Sequence, residues 1–295
     1  MEKIGILQSA GIAGRIIELA LAEPEMKDLF TPIVYSKDNG NDKNVGQDLR
    51  FRNIDALVVA PGSTAALRFD EAMTMYVGEH VKLCTAMPEL ESAQVYEQLT
   101  KEVLMKKVEK VWQSLRRDFT CTMPRIAVIA LNATVDDAEK NVMEPALKEL
   151  EAQGVRAFGP FLFDDFMQNQ WHEEFDAVLT ITDQQTQQFL EAYAGNIRTR
   201  LLIGLPAVLT STEFPEGYQH EEHLQESALA LLRSCYLAVD VCRCRAYHDA
   251  CHASPLPKLY HERRDDSEKV RFKAPLPFMV KKGEGSKTEA STTQA

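Results

Sequence analysis

The chain has 295 residues, 45% of them hydrophobic and 26% charged, with a formal net charge of −11. This composition buries a sizeable core, and the acidic balance excludes binding to nucleic acid or an anionic membrane through bulk electrostatics. No apolar run approaches the ~20 residues of a membrane-spanning helix. The opening MEKIGILQSAG enters a strand-like run without the apolar core of a signal peptide, so a cytoplasmic protein is expected. In that compartment Cys84, Cys121, Cys235, Cys242, Cys244 and Cys251 read as reduced thiols and not as a disulfide framework.

Lys3–Leu7 reads as a strand, followed by Gly11-Ile12-Ala13-Gly14 and a helix over Arg15–Ala22 with Ile16, Ile17 and Ala20 inward. Glycines between a strand and a helix either let backbone N–H groups approach an anion or make a tight turn. On the first reading, Gly11 and Gly14 are candidate cofactor-binding residues. Pro32–Tyr35 is a second strand, and the Asn/Asp/Gly-rich Ser36–Gly46 is loop. Ala56–Ala60, ended by Pro61-Gly62, and Val81–Thr85 are the next strands. Leu99–Leu115 has an apolar stripe at helical spacing.

Ile126–Leu131 is a short, apolar, buried strand. The helix Ala138–Gln153 follows, with Pro145 kinking it or marking its effective first turn and Gly154 as its stop. Val155–Phe158 leads into a turn at Gly159-Pro160, and Ala177–Ile181 and Leu201–Pro206 are further apolar runs. Strand–helix–strand alternation of this length predicts βαβ units and a mostly parallel sheet. Ligands sit outside the carboxyl ends of such strands, which directs attention to Asn132–Asp137, Asp183–Thr186 and Thr210 onward. A long helix over Glu221 to about Ala246 turns Leu224, Ala228, Leu231, Leu232, Cys235, Leu237 and Val239 inward. Residues 253–281 read as an extended arm, and 282–295 have nothing to bury and read as a disordered tail.

The stretches at 4–24 (IGILQSAGIAGRIIELALAEP), 31–35 (TPIVY), 55–61 (DALVVAP), 100–104 (TKEVL) and 114–132 (SLRRDF and PRIAVIALN) resemble the PdxA family. So do AFGPF at 157–161, FDAVL at 175–179, GLPAVLTS at 204–211 and YLAVDVCRCR at 236–245, all in the family's order. Its members are NAD-dependent 4-hydroxythreonine-4-phosphate dehydrogenases of vitamin B6 synthesis. The resemblance implies an isocitrate/isopropylmalate-dehydrogenase-like α/β architecture with mostly parallel sheets, an active-site cleft between two domains, and a homodimer. Here a shortened first domain would comprise 1–80 plus 221–252, and a second 81–220.

Family members hold a divalent metal through three histidines, and the metal polarises the substrate for hydride transfer to NAD. The segment carrying the first histidine is missing after Ala60-Pro61. The second falls in Asn132-Ala133-Thr134, with Thr134 at the ligand position. The third falls in Thr182-Asp183-Gln184-Gln185-Thr186, with Asp183 there. A threonine and one carboxylate do not replace three imidazoles at a transition-metal site. The phosphate side differs too: Glu191 stands where the family has lysine, Leu209 where it has an arginine before Thr210-Ser211, and Arg200 where it has asparagine. These changes remove a bidentate phosphate donor and return one positive charge elsewhere.

Two other groups of potential ligands stand out. His220 and His223 share a helical face at i, i+3, either as metal ligands (with Asp183 as a further donor) or as a solvated helix start. Cys244, His248, Cys251 and His252 line one face if the last helix reaches 252, either for a soft metal or as a dimer-facing or core stripe. Three functional readings follow. The first is a PdxA-fold paralogue without dehydrogenase activity, serving in binding, assembly or regulation, with a true PdxA as one possible partner. The second is a working NAD- and metal-dependent dehydrogenase or decarboxylase on an altered substrate. The third is a sensor in which Arg200 and the Gly11–Gly14 turn bind a small carboxylate or phosphate.

Overall fold

Ten short runs rich in Val, Ile, Leu and Thr pair side by side into one sheet in the computed structural model of the chain. It describes residues 1–8, 12–23, 28–36, 44–61, 72–78, 82–88, 94–95, 98–131, 137–193, 197–215 and 217–253, with backbone alone at 137–139. Met1–Cys251 forms one unit, and His252–Ala295 a second, of which His252 and Ala253 are described. The expected arm and tail thus lie outside the described residues, apart from Ala253.

The strands are β1 (Glu2–Gln8), β2 (Phe30–Ser36), β3 (Ala56–Val59), β4 (Met73–Val77), β5 (Lys82–Met87), β6 (Arg125–Ile129), β7 (Arg156–Phe161), β8 (Ala177–Thr182), β9 (Arg198–Ile203) and β10 (Val208–Glu213). Their order is β2-β1-β3-β10-β9-β4-β5-β8-β6-β7. The sheet is mostly parallel, as expected. The pairs β10–β9, β9–β4 and β4–β5 are antiparallel, and the remaining pairs are parallel. The three reversals have a consequence for the site. The strands β1, β2, β3 and β10 run one way, and β5, β6, β7 and β8 run the other. The carboxyl ends of β8 and β10 therefore lie at opposite edges of the sheet, and the segments that follow them do not meet end to end.

The helices are α1 (Ile12–Leu21), α2 (Val45–Arg50), α3 (Lys101–Asp118), α4 (Asp137–Ala152), α5 (Phe163–Gln168), α6 (Asp183–Tyr193) and α7 (Leu224–Ala253), with a 3-10 turn at Trp171–Glu174. Buried residues of α1, α3, α4 and α7 pack on one face of the sheet in the largest core cluster. Thr100 caps α3 by accepting the Val103 N–H at 3.3 Å, and Leu104, Val108, Val111 and Leu115 form its buried stripe. The opposite face carries two smaller clusters. One comprises Tyr76, Leu83, Ala127, Ile129, Val178, Phe166 of α5, and Phe189 and Leu190 of α6. The other comprises Leu7, Tyr35, Ile54, Leu57, Leu209 and Val45 of α2.

Several elements depart from the sequence reading. The strand β4 falls between Gly62 and Glu79, where the sequence reading has no strand, and α2 begins at the end of an expected loop; each is short and acquires its conformation by packing on neighbours. Gly159-Pro160 lies inside β7 and not in a turn after it. Gly159 has φ 137°, and a Cβ there would sit 2.4 Å from the Val128 carbonyl oxygen, so the close approach of β7 to β6 demands glycine. The helix α7 extends to Ala253, past the expected end near Ala246. Its added turns are tied to α3 by the Arg117–Asp249 pair at 2.7 Å, just beyond Arg245, which is buried against Asp118. All six cysteines are free.

Candidate functional site: a polar floor across the central strands

Between the two smaller clusters, the central strands place a row of polar side chains on one face of the sheet. In register, Tyr76 of β4 pairs with Arg200 of β9, and Arg200 with Ser211 of β10; Arg198 pairs with Glu213 one step along. Side chains two apart on a strand share a face, so these five point the same way. Thr210 and Thr212 point the other way, where their hydroxyls donate to the Ser234 and Ala230 carbonyls of α7 at 2.9 and 3.1 Å. Of the carried-over pocket positions, Arg200 and Ser211 thus lie on the floor, whereas Thr210 bolts the sheet to α7. Leu209, buried, belongs to the apolar cluster beside the floor.

The floor is a connected network centred on Glu213. Its carboxylate accepts from the Tyr76 hydroxyl at 2.9 Å and from Arg200 Nη1 at 3.1 Å, and lies 3.8 Å from Arg198 Nη1. Arg200 Nε donates to Ser211 Oγ at 3.2 Å, and Arg198 Nη1 donates to Gln187 Oε1 at 2.6 Å. Asp183, the first residue of α6, joins through electrostatics. Partial burial, and then the charge of Glu213, push its carboxyl above the ordinary range, while a hydrogen bond with Gln187 and the charge of Arg198 pull it back. Burial and Glu213 likewise raise the Tyr76 phenol. Two guanidiniums and two carboxylates make the network formally neutral. Arg200 is the accessible cation, its side chain 36% exposed against 14% for Arg198.

The residues after Asp183 anchor the helix. The Gln185 side chain accepts the Ile181 N–H at 3.1 Å and donates to the Ala130 carbonyl at 2.6 Å, tying α6 to the end of β6. The hydroxyls of Thr85 and Thr180 each lie 2.6 Å from that of Thr186, which donates to the Thr182 carbonyl. Glu191 is exposed on α6, two turns beyond Asp183. Asn132, Thr134 and Gly11 lie outside the described residues. Gly14 sits within α1, where a Cβ would meet only Gln8 Oε1 at 3.8 Å, so no close backbone approach requires glycine there.

His220 and His223 have partners of their own. His220 Nδ1 lies 2.9 Å from Ser227 Oγ, with its ring among Phe214 and Tyr218, and burial lowers its pKa. His223 faces Glu226 at 3.7 Å. On α7, His248 faces Asp249 and Cys251 is exposed. Among the described residues no three His, Cys, Asp or Glu side chains converge as metal ligands. Asp183 is a single carboxylate with Arg198 and Gln187 beside it.

Residues 54–238 match the family described as pyridoxal phosphate biosynthetic protein PdxA. The chain belongs to the PdxA family. It is 32% identical over 180 residues to the 4-hydroxythreonine-4-phosphate dehydrogenase of Bacteroides thetaiotaomicron, covering 59% of this chain and 50% of that protein. With the protein of the same name from Acidithiobacillus ferrooxidans it shares 28% identity over 189 residues, covering 56% and 57%. The chain thus spans about half the length of the curated relatives it matches. The crystal structure of the 4-hydroxythreonine-4-phosphate dehydrogenase from Klebsiella pneumoniae superposes with TM-score 0.63 at 16% identity, covering 82% of this chain and 98% of that one, a likeness of fold. The matched range includes every residue of the polar floor, and it leaves out Gly11, Gly14, Cys244 and His248.

Proposed function

We propose that this PdxA-family chain retains the family sheet but not its metal-dependent redox centre. On this reading it serves in binding, assembly or regulation and does not oxidise 4-hydroxythreonine 4-phosphate with NAD. One observation carries the reading: Asp183, at a position where the family places a metal-binding histidine, faces a network in which Arg198 and Arg200 already neutralise Glu213. A divalent cation there would have to compete with guanidiniums, with a lone carboxylate in place of imidazoles. The family resemblance further supports a cytoplasmic homodimer, and a true PdxA is a candidate partner. The division into lobes 1–80 with 221–252 and 81–220 is part of the same proposal.

The test is NADH formation from 4-hydroxythreonine 4-phosphate, with and without added Zn²⁺ or Mg²⁺. No turnover above the protein-free blank is expected; robust metal-dependent turnover overturns the reading. The alternative, an active dehydrogenase or decarboxylase on a different substrate, draws on the raised Asp183 carboxyl, since perturbed acids often mark reaction centres. That alternative requires Asp183→Asn to abolish a measurable NAD-dependent activity.

A further inference from the structure

The polar floor has two hydrogen-bond donors to spare. Arg200 Nε donates to Ser211 Oγ at 3.2 Å and Nη1 to Glu213 at 3.1 Å, whereas Nη2 has no acceptor among the described residues. Ser211 accepts at Oγ, so its own O–H is available as the second donor. The two groups sit side by side, because Arg200 and Ser211 are cross-strand partners. Their surroundings are asymmetric. On one side lie the carboxylates of Glu213 and Asp183, within electrostatic reach of each other. On the other side the floor turns apolar. Val59 of β3 pairs with Ser211, and Leu202 lies two residues beyond Arg200 on β9, so both share the floor's face. Both are half-buried, and the buried Leu57 and Leu209 continue that side.

We propose that Arg200 and Ser211 bind the carboxylate of a small apolar monocarboxylic acid, whose stem lies over Val59 and Leu202. This names a ligand class for the binding role proposed above and rests on that reading. One carboxylate oxygen accepts from Arg200 Nη2 and the other from the Ser211 hydroxyl. The charge count sets the class. A single accessible guanidinium, already half engaged by Glu213, balances one negative charge. A phosphate dianion would bring its second charge against Glu213 and Asp183, and like charges repel strongly in a partly buried site. The PdxA relatives are named for a phosphate ester, so this is a different ligand class from theirs. The acid is a free small molecule and not a peptide terminus. The strands β3, β10, β9 and β4 are each paired on both sides and offer no edge to a peptide backbone.

The experiment is isothermal titration calorimetry of the full chain, without NAD or metal, against 4-methylpentanoate, acetate, inorganic phosphate and the uncharged 4-methylpentanamide. The ligand-induced rise in melting temperature is a second readout. Saturable binding is expected for 4-methylpentanoate, weaker binding for acetate, and none for phosphate or the amide. Arg200→Gln and Ser211→Ala are each expected to raise the 4-methylpentanoate Kd about tenfold or more, the worth of a hydrogen bond to a charged group. Circular dichroism establishes that each variant is folded, and Ser211→Ala carries the test alone if Arg200→Gln does not fold. The proposal is overturned if neither readout detects 4-methylpentanoate, if acetate, phosphate or the amide binds as tightly, or if the folded variants leave the Kd unchanged. Failure here is distinct from failure of the binding role itself, which NADH formation reports.

Discussion

Replacing Asp118 with asparagine should destabilise the chain by about 3–5 kcal/mol, the cost of breaking a buried ion pair from one side. Asp118 and Arg245 have side chains only 3% and 8% exposed. The carboxylate accepts from Arg245 Nε at 2.6 Å, from Arg245 Nη2 at 3.3 Å and from Ser114 Oγ at 2.7 Å. Arg245 Nη1 also donates to the Leu205 and Pro206 carbonyls, at 3.3 and 3.1 Å, so one guanidinium fastens α3, α7 and the β9–β10 connection. Asparagine keeps the size and one acceptor but leaves Arg245 as an unneutralised buried cation. At ~2–4 °C per kcal/mol for a domain of this size, the melting temperature should fall by roughly 6–20 °C. The double variant Asp118→Leu/Arg245→Met removes both charges with similar volume and should cost less than either single change, because no ion is left stranded. Thermal and urea unfolding of the wild type, Asp118→Asn, Asp118→Leu, Arg245→Met and the double variant measure this. If Asp118→Asn costs under ~1 kcal/mol, or if the double variant is the worst of the set, the argument from burial of charge is wrong.

Three further outcomes follow from the same interactions. Arg117 holds the Asp249 carboxyl down to about 2, so this pair stabilises the fold above the unfolded aspartate value of about 3.9 and loses its contribution as pH falls toward 2. Because the pair is exposed, Asp249→Asn should cost less than ~1 kcal/mol at pH 7, and the cost should fade through that acid window in pH-dependent melts. Asp183 has the opposite sign. Its raised carboxyl favours the folded state below the unfolded pKa, and that advantage is lost as pH rises through the folded one. Asp183→Asn should therefore melt slightly higher than wild type at pH 7, with the gain gone by about pH 3, and a lower melt at neutral pH contradicts the assignment. Thr186→Val leaves the buried Thr85 and Thr180 hydroxyls without their shared partner and should cost about 1–3 kcal/mol in equilibrium unfolding.

The order and type of most elements could be read locally because they rest on short-range periodicity. The apolar run of β6 and the stripe of α3 carry their own signal. So does the match of separate short stretches to the PdxA family, since they keep its order along the chain. Tertiary structure alone decided how the strands run. Nothing in RTRLLI or MTMYV states that β9 and β4 lie antiparallel at the sheet centre, because direction follows from which neighbours remain to be paired. That reversal separates the carboxyl ends of β8 and β10 and sets Tyr76, Arg200 and Ser211 in one row. Arg200 and Asp183 were legible as altered family positions. Tyr76, Arg198 and Glu213 were not, because their signal is cross-strand register between segments as much as 137 residues apart. A sequence specifies which side chains are available and which local conformations suit them, whereas a charge network depends on distances that exist only after long-range pairing.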